Sequence, residues 1–221
     1  MDKESNRMNI WAIIPVKPFN RAKSRLARVL TPEQRISLVE RMFRHSLEVM
    51  SGVQRIGVLV VSRDAKALNI ARSYNVQTVQ ESGAAELNPA LLRASQVVNK
   101  LGGEGVLVLP ADLPLVNVED VEQLLHMGRY NATTVLAPDR NDNGTNALLV
   151  TPPGLIPFSF GPGSFQRHVM LAEEANATVK VYRSDRLALD IDTPDDLAAY
   201  EALMGEKLPM IDSAGSLTPA E

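Results

Sequence analysis

Two short runs without a single polar side chain limit what this chain can become: Ile10-Trp11-Ala12-Ile13-Ile14-Pro15-Val16 and Val106-Leu107-Val108-Leu109. A strand with one wet face alternates apolar and polar residues. A strand apolar throughout is buried on both faces, which is the habit of a parallel sheet covered by helices. Ile56 to Val61 reads as another such strand, with a short one at Thr78 to Gln80. Helices fall between them. Thr31-Pro32-Glu33-Gln34 is a capping-box start, followed by Ile36, Val39, Phe43, Leu47 and Met50 at helical spacing. Further helices run from about Ala65 to Tyr74, from Asn88-Pro89 to a stop at Gly102, and from Val118 to Met127 before Gly128. After Val135-Leu136-Ala137 comes an excursion at about 138–165, with a strand at Ala147 to Val150. A helix then opens at Ser164, and strands at Thr178 to Tyr182 and Leu187 to Asp190 are expected to finish the sheet. Thr193-Pro194-Asp195-Asp196 caps the last helix, with Leu197, Tyr200 and Leu203 inward. The expectation is a single α/β domain over 8–204 with a mainly parallel sheet flanked by helices, and flexible termini at 1–7 and 205–221.

Asp112 stands where the second apolar run ends, with Pro110 and Pro114 fixing the chain around it. Ligands of open α/β sheets sit beyond the carboxyl ends of the strands, so Asp112 faces the expected site. Far downstream, Asp190-Ile191-Asp192 places two carboxylates on one side of an extended segment. An aspartate alone usually caps a turn or a helix. Three brought together repel unless a cation joins them, and hard oxygen ligands suit Mg²⁺.

The loop after the first strand carries Lys17, Arg21, Lys23 and Arg25, where nucleotide-binding sheets commonly hold phosphates. No Gly-x-Gly-x-x-Gly and no P-loop motif occurs, so side-chain cations would replace the glycine cradle. Gly161 and Gly163 permit positive φ, and Ser164 reads as an N-cap at a helix start whose free amides would suit an anion. His168, one turn along, reads as a packed or surface histidine. A net charge of −3 excludes a general attraction to nucleic acid, no apolar run approaches the ~20 residues of a membrane span, and Met1 to Met8 is no secretory signal. With no cysteine, disulfides and thiolate metal sites are excluded and a cytoplasmic location is the default.

Taken in order, Pro15-Val16-Lys17, Ala22-Lys23-Ser24-Arg25-Leu26, Leu109-Pro110-Ala111-Asp112-Leu113-Pro114, Gly144-Thr145-Asn146-Ala147-Leu148, Phe160-Gly161-Pro162-Gly163-Ser164-Phe165 and Asp190-Ile191-Asp192-Thr193-Pro194 resemble the guanylyltransferases of deazaflavin coenzyme F-420 biosynthesis. These enzymes join GTP to a phosphorylated three-carbon acid: phosphoenolpyruvate, 2-phospho-L-lactate or 3-phospho-D-glycerate. The resemblance implies a Rossmann-like nucleotidyltransferase fold, Mg²⁺ on Asp112, Asp190 and Asp192, and the acid's phosphate on Thr145, Gly161 and Ser164. It implies GTP contacts from Lys17, Lys23 and Arg25, with Asn88 carried over as a further nucleotide contact, and relatives suggest a homodimer. The chain departs from the family in having Glu81-Ser82-Gly83-Ala84-Ala85-Glu86 where members commonly have a glycine-rich segment. Phosphoenolpyruvate is the acid expected. Transfer to a sugar phosphate or to molybdopterin, a metal-dependent glycosyltransferase, and a nucleotide-binding module without turnover remain alternatives.

Overall fold

A computed structural model of the chain describes residues 9–82 and 86–205, together with 210–211 and 217–218. Its first apolar run is β1 (Ile10–Val16), and the period of two sorts that strand between two cores. Ala12, Ile14 and Val16 pack on one side while Ile13 packs on the other. β4 (Gly105–Val108) does the same, with Leu107 on the first side and Val106 and Val108 on the second. The second side is covered by α3 (Leu87–Lys100) and α5 (Ser164–Glu174). The first is covered by α1 (Pro32–Gly52), α2 (Ala65–Ser73), α4 (Val118–Met127) and α7 (Pro194–Met204). Each fully buried Leu or Ile contributes about 1.5–3 kcal/mol, so two-sided burial is what makes a run without polar residues worthwhile.

The sheet has seven strands in the order β3-β2-β1-β4-β6-β5-β7, with β2 (Gly57–Ser62), β3 (Gln77–Gln80), β5 (Thr133–Pro138), β6 (Thr145–Thr151) and β7 (Thr178–Val181). β6 alone is antiparallel to its neighbours β4 and β5. The cause is local: the turn at 139–144 is too short for a crossover, so the chain must reverse. Asp139 closes that turn by accepting from the amides of Asn141, Asn143 and Gly144. The expected excursion at 138–165 therefore contains a central strand, buried along its whole length, and only the turn and the segment after it lie outside the sheet.

Three expectations are corrected. Leu187 to Asp190 is not a strand: Asp185–Ala188 is the short helix α6, capped by Ser184, and an extended segment follows it. β7 is the last strand of the sheet, paired on one side with β5. Asn88 does not cap α3, which begins one residue earlier after Glu86. Leu203 is 69 % exposed rather than inward, in the last turn of α7. The capping boxes at Thr31 and Thr193 form as expected. Residues 1–7 and most of the tail lie outside the described residues; within the tail Gly205 ends α7 at φ 70°, and Met210–Ile211 pairs antiparallel with Leu217–Thr218.

Candidate active site

The carboxyl ends of β1 and β4 lie side by side, and the chain leaves both toward the same edge of the sheet. After β1 it makes two short 3₁₀ turns, Phe19–Arg21 and Ser24–Arg28. Apolar residues anchor them: Phe19, Ala22 and Leu26 are buried, and Phe19 lies against Phe43 of α1. Asp64, the N-cap of α2, also accepts from the Phe19 amide at 2.8 Å. Around these anchors Lys17, Arg21 and Arg25 are exposed, whereas Lys23 turns inward from a left-handed backbone (φ 54°).

Lys23 meets the carboxylates. Its Nζ donates to Asp112 Oδ2 and to Asp192 Oδ1, both at 2.7 Å, with its side chain 7 % exposed. One oxygen each from Asp112, Asp190 and Asp192 lie within 4.8 Å of one another, so the two remote acidic segments converge. A backbone bond from the Ile191 amide to the Asp112 carbonyl (3.2 Å) joins those segments directly. Burial works against the Lys23 ammonium, but Asp112 and Asp192 outweigh it and hold its pKa above the usual lysine value. Burial likewise opposes the Asp192 carboxylate, yet Lys23, Lys17 and Arg25 together pull its pKa down. Among the described residues no cation forms an ion pair with Asp190. Burial and then the charges of Asp112 and Asp192 push its pKa up to about 6, countered only partly by Lys23 and Asn146. One ammonium among three carboxylates leaves an excess of negative charge, centred on Asp190.

Residues outside the expected ligand set hold this cluster. Asn146, beside Thr145 in β6, donates from its amide to the Leu187 carbonyl (2.8 Å) and to Asp190 Oδ1 (3.3 Å). Asp196 accepts from the amides of Asp192 (3.1 Å) and Thr193 (2.8 Å). Asp120, fully buried on the first turn of α4, accepts from Tyr182 Oη, Ser184 Oγ and the Arg186 guanidinium at 2.7–3.0 Å. Those three donors sit on the chain that leads to Asp190, so Asp120 sets its path. The Gly144-Thr145-Asn146 motif pointed toward Asn146; Asp120 gave no signal beyond an ordinary helix-start carboxylate.

A second group of residues lies across the N-terminal end of β6. Thr145, 5 % exposed, pairs through Oγ1 with His168 Nδ1 of α5 at 3.0 Å. The turn before α5 needs glycine, with φ 129° at Gly161 and 72° at Gly163. Gly163, not Ser164, is the N-cap, and Ser164 is the first helical residue. The open amide cradle expected at that helix start is largely filled. The Gly163 amide donates to Asn143 Oδ1 (3.1 Å), the Ser164 amide to the Gly161 carbonyl (3.0 Å) and the Phe165 amide to the Asn143 carbonyl (3.2 Å). The helix N-terminus still favours an anion, but direct donors there would be side chains more than amides. Asn88 is committed elsewhere: its amide accepts from the Phe160 N–H (2.8 Å) and donates to the Phe160 carbonyl (3.1 Å). It clamps the glycine turn to α3.

The carboxylates and cations thus gather beyond the strand ends of the seven-stranded sheet. The fold matches a nucleotidyl transferase from Methanothermobacter thermautotrophicus with TM-score 0.64 at 17 % identity, covering 89 % of this chain and 97 % of that one. Residues 10–207 match the family model described as guanylyl transferase CofC like, and the chain belongs to that family. It is 40 % identical over 198 residues to the phosphoenolpyruvate guanylyltransferase of Rubrobacter xylanophilus, spanning 90 % of this chain and 96 % of that protein. It is 33 % identical over 196 residues to the 2-phospho-L-lactate guanylyltransferase of Methanocaldococcus vulcanius, spanning 88 % and 85 %. Among the described residues no helix is long and apolar enough to cross a membrane.

Proposed function

We propose that this chain is an Mg²⁺-dependent guanylyltransferase that joins GTP to phosphoenolpyruvate and releases pyrophosphate, in coenzyme F-420 biosynthesis. The observation that carries the reading is the convergence of Asp112, Asp190 and Asp192 around one point, with Lys23 among them and Lys17 and Arg25 beside Asp192. The names of the relatives supply the nucleotide and the acid. A homodimer and a cytoplasmic location belong to the same reading.

A phosphate oxygen of the acid attacks the α-phosphorus of GTP; a phosphorus–oxygen bond forms as the bond to the β-phosphate breaks, and pyrophosphate leaves. Two polyanions must meet, and each pair of unit negative charges ~4 Å apart costs about 4 kcal/mol at an effective dielectric of 20. Lys17 and Arg25, exposed at the mouth, draw the triphosphate in and offset its charge. Lys23 has both carboxylate partners and a buried stem, so it offers a fixed positive charge at the reacting end. The attacking phosphate is ionised at neutral pH, so no general base is required. His168, with both ring nitrogens hydrogen-bonded inside the fold, has no free nitrogen for such a role.

The carboxylates fit a small hard cation. Oxygens sharing one Mg²⁺ at ~2.1 Å stand roughly 3–4 Å apart, and one oxygen from each of the three carboxylates lies within 4.8 Å of the others. Asp112, Asp190 and Asp192 would hold it, and when bound it supplies charge neutralisation and polarisation of phosphate oxygens. The Thr145 hydroxyl and the Gly161–Ser164 turn, on the other side of the β6 start, receive the acid's anionic end. The test is pyrophosphate release with phosphoenolpyruvate, 2-phospho-L-lactate and 3-phospho-D-glycerate crossed with GTP, ATP and CTP, with and without chelator. Release is expected with GTP and phosphoenolpyruvate and should cease on chelation. Absence of release with every acid, alongside a GTP-dependent rise in melting temperature, would leave a nucleotide-binding module instead.

A further inference from the structure

We propose that His168 is a positioning residue that makes the Thr145 hydroxyl a hydrogen-bond donor toward the anionic acid. This rests on the reading that the acid's anion lies at Thr145 and the Gly161–Ser164 turn. His168 is fully buried on α5, and both ring nitrogens are engaged. The Ser159 backbone N–H points at Nε2 at 2.9 Å, and a backbone amide can only donate. Nε2 therefore carries the lone pair, which places the ring proton on Nδ1. Nδ1–H faces Thr145 Oγ1 at 3.0 Å, so the hydroxyl oxygen accepts there and its own proton must turn away from the ring. With the opposite tautomer Thr145 would donate into the histidine and have no proton left for a ligand. Protonation is held off as well: burial, and then Arg167, lower the His168 pKa to about 4. The ring cannot turn over freely, because Phe160 meets it edge-on at 4.9 Å and 69°, and Asn88 clamps the Phe160 backbone at both its N–H and its carbonyl. A line of fixed contacts thus runs from α3 through Phe160 and His168 to one hydroxyl proton. A hydrogen bond to a charged group is of the strength that moves binding tenfold or more, which makes that proton worth orienting.

Three substitutions separate the contacts. Gln at 168 offers an amide oxygen near the former Nε2 and keeps the Ser159 contact, but it loses the donor to Thr145. Asn at 168 offers an amide nitrogen near the former Nδ1 and keeps that donor. Thr145→Val removes the hydroxyl. In the full chain, Thr145→Val and His168→Gln should each raise the apparent KM for phosphoenolpyruvate about tenfold or more and leave that for GTP within about twofold. His168→Asn should recover most of the loss. In the Thr145→Val background His168→Gln should add less than about twofold, because the proton it orients is gone. An undiminished effect of His168→Gln in that background, or equal effects on acid and GTP, would mean that His168 only supports the fold, and the proposal falls while the subsite stands. A KM for the acid that Thr145→Val leaves unchanged removes the acid from Thr145 and overturns both. Nitrogen-15 spectra of the histidines in the unsubstituted protein give a readout free of folding effects: His168 should carry its proton on Nδ1, and a proton on Nε2 would refute the orientation.

Discussion

Replacing Asp190 by Asn should make the metal-free protein more stable while abolishing turnover. Asp190 is kept ionised near pH 7 against burial and against Asp112 and Asp192, and its pKa stands at about 6 instead of 3.8. About two pKa units correspond to roughly 3 kcal/mol of penalty on the charged form, an upper bound for a coupled site, so the gain should be on the order of 1–3 kcal/mol. Asn keeps an oxygen for the Asn146 amide, which now donates to Asp190 at 3.3 Å, so no packing is lost. The sign follows from linkage. A carboxyl whose folded pKa is raised binds its proton more tightly in the folded chain, so the penalty is complete well above pH 6 and absent well below pH 3.8. The advantage of the variant should therefore be full at pH 8, roughly halved near pH 5 and gone near pH 3.5. For a chain of this size 1 kcal/mol moves the melting temperature about 2–4 °C. Thermal and urea unfolding in chelator at pH 8 and pH 5 measures it, with pyrophosphate release run in parallel at ordinary Mg²⁺. A variant that is less stable at pH 8, or whose advantage does not shrink on acidification, would refute the account of Asp190 as a charge held in place for a cation. Near-normal turnover would refute the metal assignment separately.

Lys23→Met should weaken turnover yet tighten binding of Mg²⁺ alone, measured by calorimetry, because the ammonium now competes for Asp112 and Asp192; weaker Mg²⁺ binding would contradict that competition. Asp120→Ala should cost about 2–4 kcal/mol in urea unfolding, since Tyr182, Ser184 and Arg186 all lose their shared acceptor, and should raise the Mg²⁺ requirement through the displaced 182–192 segment. Ser164→Ala should raise the KM for the acid and not that for GTP; an effect confined to GTP would put the two subsites the wrong way round.

What the sequence alone determined was the layering and the acidic residues that converge beyond the strand ends. Uniformly apolar runs at Ile10–Val16 and Val106–Leu109 demand two covered faces, and capping residues such as Thr31 and Thr193 act within one helical turn, so both survive without knowledge of the rest of the chain. The alternation in Asp190-Ile191-Asp192 put both carboxylates on one side even though the flanking residues proved to be a helix and an extended segment rather than a strand, because side-chain period depends only on local backbone extension. Tertiary structure decided everything that depends on which partner arrives. The inward turn of Lys23 onto two carboxylates 89 and 169 residues away is one such case. Others are the antiparallel insertion of β6, the diversion of Asn88 to Phe160 and the pairing of His168 with Thr145. A hydrogen bond or a charge contact is settled at about 3 Å, and distances of that kind between remote segments exist only once the sheet has brought their ends together.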